Sequence, residues 1–427
     1  MVRPIAPRRR AAMAARNPAA NPRRRAIFAL LAPFVGFADY LRLRLVDRAW
    51  RLYCRRAGRT PPPFPWLMLP PGESAPGNPA PTVRVFYDIP GGLSYGYHVP
   101  PKNHHRCVAT GHGWIVMVAV QPPRRITVLN PITGEGKVIP WPFDNCNERF
   151  HAHLTSSPVD RACFLVVVTD RLIAYCRPAH FEGWQTLRAP GFRYHAVSSD
   201  VVSLSSSLVF LVDQRGKLWR VELAERQPHV ERRDTAFELP SKELRRYYLV
   251  ESLGHVLLVL SDDRHKCVSL YKLDWAARMW APTDGWRGDR VLLLGRGCSA
   301  AVPASSAAGR VPGTVLFARQ PTSISDMDSS VRGDGSGQAW FWSETRVDAT
   351  PDDLLVLKKT VPHRQGEFTD DDSFWFFPAV DPDENLQLPN VAVVTRALAL
   401  NAADGVEFGR NVLAGTSIVD AWISILH

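Results

Sequence analysis

Two groups of residues in this sequence have the side chains that bind zinc. They are His104, His105, Cys107 and His112 in NHHRCVATGHGW, and Cys146, His151 and His153 further on. Zinc accepts histidine and cysteine ligands, but neither spacing matches a standard zinc site. The first group also precedes an apolar run, which favours solvated loop histidines over ligands. We therefore predict no metal site and no bound cofactor.

Carboxylate groups offer the other candidate chemistry, because propeller glycosidases use two or three acids in a central funnel. The acid groups here are Asp262–Asp263, Asp352–Asp353 and Asp370 to Asp372. The first is typical of a hairpin turn, where Asp makes local hydrogen bonds. The other two are typical of exposed loops. The sequence also lacks a Gly-x-Ser-x-Gly elbow, a phosphate loop and a His-Glu-x-x-His motif. We predict no catalytic residues, with a propeller enzyme as the minor alternative.

Cysteine usage indicates the compartment. The seven cysteines are scattered, and none forms a Cys-x-x-Cys pair. An odd number without pairing argues against a disulfide framework and for a reducing environment. We expect an intracellular protein of the nucleus, the cytoplasm or both.

The net charge of +11 comes from the N-terminal segment. Residues 1–60 hold 15 Arg, no Lys and two acids, whereas the remainder holds 37 basic and 39 acidic residues. Such a segment can contact nucleic acid or an anionic membrane, or can be an unfolded tail of biased composition. We favour a disordered tail over 1–25 and expect no nucleic-acid partner. A transit peptide is the other alternative, although residues 1–60 contain no Ser.

The apolar run 26–37 has 12 residues and is interrupted by Pro33 and Gly36, whereas a membrane-spanning helix needs about 20 residues. We therefore expect a soluble protein with no membrane contact. The pattern over 26–60 predicts a small helical unit, with Asp39 as a cap and a broad apolar face after it. Nine prolines then fall within 61–81, and this composition predicts a semi-rigid linker.

From residue 82 to 427 the sequence is typical of an all-β domain. Short runs rich in Val, Leu and aromatic residues alternate with turn residues. In KLWRVEL, Trp219 and Val221 share one face and Arg220 and Glu222 the other, which is the alternation of a strand.

The strand pairs recur at a regular interval. Val116, Leu165, Val209 and Leu257 begin similar units. The intervals between these residues are 49, 44 and 48 positions, which fits the ~40–50 residues of a propeller blade. We predict a β-propeller of six or seven blades rather than a large β-sandwich. Residues 319–338, which are rich in Ser, Asp and Gly, predict a mobile loop within one blade.

The chain resembles the plant family of F-box proteins with a C-terminal kelch-like propeller domain of unknown function. FADYLRLRLVDRAWR (37–51) resembles the second half of an F-box. GHGWIVMV (111–118), ITVLNPITGEGKVIPWP (126–142), RRYYLVESLGHVLLVLSD (245–262) and the segment 268–305 resemble family motifs of the propeller. The chain lacks the Leu-Pro start of an F-box and has Asp47 where a Cys is usual.

The resemblance implies a substrate-recognition subunit of an SCF-type ubiquitin ligase. The F-box-like helices would dock a Skp-family adaptor, and the propeller would bind an unknown target protein. The implied adaptor contacts are Phe28, Leu31, Leu41, Leu45, Val46 and Trp50. The family-motif positions of the propeller, which we expect to be structural, are Gly113, Trp114, Asn130, Pro131, Gly134, Val250 and Glu251. The alternative is a non-ligase interaction protein whose F-box is not functional.

Tryptophan is a further candidate for partner binding, because a few Trp side chains at the mouth of a ring would make hot spots. The chain has 13 Trp. Those expected in loops or at strand ends are Trp141, Trp184, Trp286, Trp340 and Trp342. Packing between blades is the other use, and the sequence alone leaves both open.

Overall fold

The computed structural model describes residues 26, 40, 52, 65–68, 83–88, 93–99, 105–119, 122–143, 150–170, 172–193, 200–213, 216–224, 227–233, 246–261, 268–277, 279–283, 289–295, 297–304, 312–318, 339–340, 342–346, 360–361 and 374–376. The chain divides into two compact units. One comprises 1–63, 380–389 and 401–427, and the other comprises 64–379 and 390–400. We call the second unit the sheet domain.

In the first unit Ala26, Tyr40 and Leu52 are helical, and Tyr40 is buried. The rest of the predicted helical unit over 26–60 and the predicted tail over 1–25 lie outside the described residues. The predicted mobile loop over 319–338 and residues 377–427 lie outside them too.

Short β-strands of three to seven residues make up the first three sheets of the sheet domain. They are β1 (Trp66–Met68), β2 (Val83–Asp88), β3 (Leu93–His98), β4 (His105–Gly111), β5 (Trp114–Ala119), β6 (Arg125–Leu129), β7 (Gly136–Pro140), β8 (His151–Leu154), β9 (Leu165–Val168), β10 (Leu172–Cys176) and β11 (Gln185–Arg188).

The remaining strands form three more four-stranded sheets and a two-stranded pair, and the last of them joins the first sheet. They are β12 (Asp200–Ser203), β13 (Leu208–Val212), β14 (Leu218–Glu222), β15 (His229–Arg233), β16 (Arg246–Ser252), β17 (His255–Ser261), β18 (Val268–Asp274), β19 (Met279–Pro282), β20 (Arg290–Leu294), β21 (Ala300–Pro303), β22 (Thr314–Ala318), β23 (Ala339–Trp340), β24 (Trp342–Arg346), β25 (Thr360–Val361) and β26 (Phe374–Phe376).

The described strands form six four-stranded sheets and one two-stranded pair, β23 with β25. We number the four-stranded sheets blades 1 to 6. In blades 2 to 5 four consecutive strands pair antiparallel in chain order. The first strands of neighbouring blades lie side by side, as β4 does with β8 and β12 with β16. The structure is therefore a six-bladed β-propeller, which confirms the predicted fold and decides the number of blades.

Alternate residues of each strand pack against different neighbouring blades. Leu165 and Val167 on β9 belong to the core shared with blade 2, whereas Val166 and Val168 belong to the core shared with blade 4. The same division separates the cores between blades 4 and 5 and between blades 5 and 6. A sheet buried on both faces against two sheets is the radial arrangement of a propeller, whereas each sheet of a β-sandwich packs on one inner face.

The first blade closes the ring and corrects the predicted linker. Its strand order is β26-β1-β2-β3, so a strand near residue 375 pairs with a strand near residue 67. The predicted linker over 61–81 is wrong where it includes β1. Trp66 is 2% exposed and stacks on Tyr95 with ring centroids 4.9 Å apart. Its apolar surface explains why WLM, although followed and preceded by prolines, joins the sheet.

Blade 6 departs from the chain order of the other blades. Its order is β21-β20-β22-β24, and β20 pairs parallel with β22. The second strand of this blade, β21, lies beside the first strand of blade 5. The connection between β20 and β21 is thereby brought towards the centre of the ring. Within the described residues no helix is long and apolar enough to cross a membrane.

Candidate functional site

The inner strands β4, β8 and β12 run in one direction around the ring. The end of β4 meets the end of β8, since a Cβ at Gly111 would lie 3.9 Å from the Leu154 Cβ. The end of β8 meets the end of β12, since His153 Nε2 lies 3.0 Å from Ser203 Oγ. In an antiparallel blade, the turn after the first strand and the turn after the third strand open on the same side.

We call this side of blades 2 to 5 the turn face. Its described turn residues are 112–113, 155–164, 204–207 and 253–254 after first strands, and 130–135, 177–184, 223–224, 227–228 and 275–277 after third strands. Six large apolar side chains are exposed among the described residues: Val138, Val159, Phe181, Leu253, Trp275 and Met279. Five of them lie in these turns or at their border, and Val138 lies in the outer strand β7. The turn face is therefore the apolar side of the described ring.

Two of these turns have the geometry of tight hairpins. His112 and Gly113 have φ values of 54° and 82°, and Leu253 and Gly254 have values of 54° and 77°. Positive φ at both central residues is characteristic of the type I′ turn, which suits the twist of a hairpin. His112 and Leu253 are the two residues other than glycine with positive φ in the described part of the chain.

The family-motif positions of the propeller lie in turns and cores. Gly113 forms the His112–Gly113 turn, and Trp114 is 3% exposed in the core between blades 2 and 3. Val250 is buried between blades 5 and 6. Glu251 Oε1 accepts the Gly254 N–H at 2.8 Å and so braces the Leu253–Gly254 turn.

The turn between β6 and β7 is organised by one asparagine. Asn130 Oδ1 accepts the N–H groups of Ile132 at 3.0 Å and Thr133 at 3.2 Å. Its backbone carbonyl accepts the N–H of Gly134, which has φ 76°. Pro131 is buried beside it. An Asx turn of this kind fixes the chain reversal. These residues are therefore structural and stabilise one turn of the turn face.

The predicted adaptor contacts Phe28, Leu31, Leu41, Leu45, Val46 and Trp50 lie outside the described residues. So do Cys146, Trp286 and all the acid groups considered as a funnel. Within the described residues no group of three or more His, Cys, Asp or Glu side chains could hold a metal ion. Cys163 and Cys176 are buried, and burial raises the pKa of both thiols, which suppresses the reactive thiolate.

Two of the loop tryptophans pack the outer edges of blades 2 and 3. Trp141 contacts Phe150 with ring centroids 4.7 Å apart. The indole N–H of Trp184 donates to the Pro140 carbonyl at 2.8 Å. Nothing is described of the side chains of Trp340 and Trp342. The exposed tryptophan of the turn face is Trp275, which the sequence analysis missed. An apolar residue directly after the turn-forming Asp274 was the available signal.

A half-buried histidine lies beneath the turn face. The ring of His153 approaches Ser203 Oγ, and that hydroxyl lies 3.5 Å from the Thr155 carbonyl. Burial, followed by the charge of His112, lowers the pKa of His153 to about 3. An unfolded histidine titrates near 6.5. Between pH values of about 3 and about 6.5, this histidine carries a proton in the unfolded chain and none in the folded chain.

Folded-state stability is therefore expected to fall as the pH drops below about 6.5. Replacing His153→Gln, which keeps a hydrogen-bonding group but cannot be protonated, should flatten this loss. Between pH 7 and pH 5 the wild-type free energy of unfolding should fall by about 2 kcal/mol more than that of H153Q. Urea titrations at both pH values measure the difference. Equal losses in the two proteins would contradict a neutral His153 in the folded chain. His229→Gln on the exposed outer strand β15 is the matched control.

At the opposite end of the inner strands, polar side chains are buried around the axis of the ring. Asp200 and Arg246 begin β12 and β16 and are 2% and 3% exposed. Asp200 Oδ2 accepts the Leu249 N–H at 2.8 Å and so joins blades 4 and 5. Tyr248 lies among them, and burial raises its pKa to about 12 although Arg246 opposes the shift.

The connection from β20 to β21 reaches across this end. A Cβ built on Gly297 of blade 6 would lie 2.6 Å from Nε2 of His151, which begins the inner strand of blade 3. His151 is 1% exposed. Blade 3 lies opposite blade 6 in a six-bladed ring, so this contact closes the centre of the ring at that end. The candidate surface is therefore the turn face, which carries most of the exposed large apolar side chains of the described residues.

The Gly297→Ala variant tests this contact. Alanine is strained at φ +68° and its methyl group would overlap His151. The strain alone costs about 1–2 kcal/mol, and the overlap should add about 1–3 kcal/mol. Gly191→Ala is the matched control, because φ is +80° and nothing lies within 4 Å of its Cβ. Thermal or urea unfolding should show the larger loss at Gly297, and equal losses would refute the contact.

The family description "KIB1-4 beta-propeller" matches residues 86–343, more than half of the chain. Among curated proteins none matches at a significant level. Solved structures are similar only distantly. AztD of Citrobacter koseri is 8% identical, with a TM-score of 0.30 over 48% of this chain and 56% of its own. The match thus spans about half the length of AztD.

Two WD40 domains give similar values. That of Toxoplasma gondii coronin is 8% identical with a TM-score of 0.28, covering 71% of this chain and 68% of its own. That of SCAP from fission yeast is 8% identical with a TM-score of 0.29, covering 56% and 52%.

Proposed function

The chain belongs to the KIB1-4 beta-propeller family, and we propose that it is the substrate-recognition subunit of an SCF-type ubiquitin ligase. In this proposal the segment 26–60 docks a Skp-family adaptor and the propeller binds the target protein. The chain itself performs no chemistry, because other subunits transfer ubiquitin. A rigid ring with an apolar face is suited to protein interaction.

The observation that carries the proposal is the order of two segments. FADYLRLRLVDRAWR (37–51), which resembles the second half of an F-box, precedes the family match over 86–343. The helical backbone of Ala26, Tyr40 and Leu52 is in keeping with helices in this segment. A receptor needs one surface for its adaptor and another for its target, and a separate N-terminal unit followed by a propeller provides both.

The test is co-purification of the full chain with a Skp-family adaptor. The wild type should co-elute with the adaptor as a stable complex. Replacing Leu41→Asp and Leu45→Asp together should abolish co-elution, because charges in an apolar contact are not compensated. Arg42→Asp with Arg48→Asp, which introduces the same two carboxylates at polar positions, is the matched control and should retain binding.

The segment NPRRRAIFALLAPF (21–34), which corresponds to the first half of an F-box, has no Leu-Pro start, and this favours a second function, a non-ligase interaction protein. If this second function is correct, the wild-type chain should show the β-sheet circular dichroism of a folded propeller and should not bind the adaptor. That outcome overturns the ligase proposal and leaves the interaction role of the propeller.

A further inference from the structure

The turn after β8 is the longest of the described turns that follow an inner strand on the turn face. It comprises residues 155–164, whereas the turns after β4, β12 and β16 have two to four residues. Val159 is 49% exposed, and Asp160 and Arg161 are exposed beside it. Another protein that approaches the turn face can therefore reach this segment.

Within this turn a serine stands directly before a proline. Ser157 and Pro158 begin a β-turn in which the Ser157 carbonyl accepts the Asp160 N–H at 2.9 Å. Ser157 is half-buried, and no hydrogen bond of its hydroxyl is found among the described residues. The Ser156 hydroxyl, in contrast, donates to Asp160 Oδ2 at 3.4 Å. Proline offers no N–H and has a fixed φ, and proline-directed protein kinases select a serine at this position.

A kinase binds its acceptor segment in an extended form, and this turn can extend locally. The extension breaks the hydrogen bond from the Asp160 N–H to the Ser157 carbonyl. The base of the turn is closed separately, by the Thr155 N–H on the Phe164 carbonyl at 3.0 Å. Exposed turns open at a small fraction of the free energy of global unfolding, so the blades can stay paired while the serine is presented.

Basic side chains from two neighbouring elements contact the same turn. Lys137 on β7 of blade 2 donates from Nζ to the Pro158 carbonyl, and the two atoms lie 3.3 Å apart. Arg177, which begins the outer turn of blade 3, donates to the Arg161 carbonyl. No ion pair of Lys137 is found among the described residues. Its charge therefore rests on a neutral oxygen of the residue next to the serine.

Three acids lie in or near this turn. Asp160 caps its own turn, because its Oδ1 accepts the Ala162 N–H at 2.9 Å. Glu135 and Glu182 are exposed in the outer turns of blades 2 and 3. Among the described residues, no contact of these two carboxylates with Lys137 or with the turn is found. Lys137 is thus placed to accept a new anionic partner beside the serine.

We propose that Ser157 is a phosphorylation site for a proline-directed protein kinase and that its phosphate pairs with Lys137. In the transfer, the Ser157 Oγ forms a bond to the γ-phosphorus of ATP, and the bond from that phosphorus to the β–γ bridging oxygen breaks. ADP leaves, and the hydroxyl proton passes to the catalytic aspartate of the kinase. The product carries about −1.5 to −2 charges at pH 7. A charge-assisted bond from Lys137 then joins blades 2 and 3 on the turn face.

The first test locates the phosphate. Two other residues of the chain, Thr60 and Thr350, also precede a proline, so the parent protein is the full chain with Thr60→Ala and Thr350→Ala. It is incubated with magnesium ATP and an active mitogen-activated protein kinase, and the modified residue is located by mass spectrometry. We expect one phosphoryl group per chain, at Ser157. Adding Ser157→Ala should lower the initial rate at least tenfold, whereas adding Ser156→Ala should leave it unchanged.

Melting curves establish that each of these variants is folded before the kinase is added. If Ser157 of the folded parent takes up no phosphate, or if the Ser157→Ala protein is phosphorylated as fast as the parent, the proposal is wrong.

The second test measures the pairing with Lys137. Phosphorylation should raise the melting temperature of the parent by about 1–3 °C at low salt, because a charge-assisted hydrogen bond replaces a neutral one. Lys137→Met keeps the apolar part of the side chain and should abolish the rise. Lys217→Met, in a turn at the opposite end of the ring, is the matched control and should retain it. An equal rise in K137M, or a lower melting temperature of the phosphorylated parent, would overturn the pairing.

Discussion

Replacing Phe210→Ala is expected to lower the free energy of unfolding by about 3–5 kcal/mol, the usual cost of truncating a buried Phe. Phe210 is fully buried on β13 in the core between blades 4 and 5. Because neighbouring blades share this core, the cavity would loosen both. Denaturant titration followed by tryptophan fluorescence measures the loss.

Phe181→Ala is the matched control for this prediction. The same atoms are removed from a side chain in a turn of blade 3 that is 38% exposed. The loss there should be within about 0.5–1 kcal/mol. A Phe210→Ala variant as stable as Phe181→Ala would contradict the shared core between the two blades.

Replacing Asp200→Ala is expected to cost about 3 kcal/mol. Its two carboxylate oxygens accept the N–H groups of Val201 at 2.9 Å and Leu249 at 2.8 Å. Leu249 is fully buried, so its N–H would lose its acceptor in blade 4 where water does not replace it. A lost hydrogen bond to a charged group costs about 1.5–3 kcal/mol, and a buried unsatisfied donor adds to this.

Asp200→Asn keeps one acceptor oxygen and should recover a part of the loss. The matched control is Asp160→Ala, whose carboxylate is exposed and bonds within its own turn to the Ala162 N–H at 2.9 Å. The loss there should be about 0.5–1 kcal/mol. Amide hydrogen exchange gives a sharper reading, because the Leu249 amide should exchange faster in D200A and not in D160A. Unchanged exchange at Leu249 would contradict the bond between blades.

The two predictions concern the same property of the ring. Every blade contributes one face to each neighbouring core, so a substitution in the core between two blades destabilises both sheets. The exposed side chains of the turn face carry little of this burial, so they can vary without loss of the ring. This separation explains how Leu253 can be strained and exposed in a stable domain.

The alternation of residue types correctly predicted which side chains of a single strand share one core between blades. In KLWRVEL the side chains of Trp219 and Val221 belong to the core between blades 3 and 4, as the pattern of two predicts. Leu218 belongs to the core between blades 4 and 5. The pattern could predict which residues share a face, because successive side chains of a strand point to opposite sides.

The two turns of blade 5 on the turn face were only partly predictable from the sequence. The motif around Val250 and Glu251 indicated a hairpin, but neither Leu253 nor Trp275 was singled out. A type I′ turn with leucine violates the usual preference, so propensity does not reveal it. The approach of two turns that are 22 positions apart in sequence depends on the pairing of β16, β17 and β18.

By itself the sequence determined the class of fold, because a strand pattern repeated at the blade interval requires neighbouring sheets to cover one another. Tertiary structure alone decided how the ring closes, through β26 pairing with β1, and how β20 and β22 come to run parallel. It also brought Gly297 against His151 from the opposite side of the ring. The physical reason is that alternation encodes which face of a strand is buried, whereas the choice of a distant partner depends on the edges and space that all other strands leave.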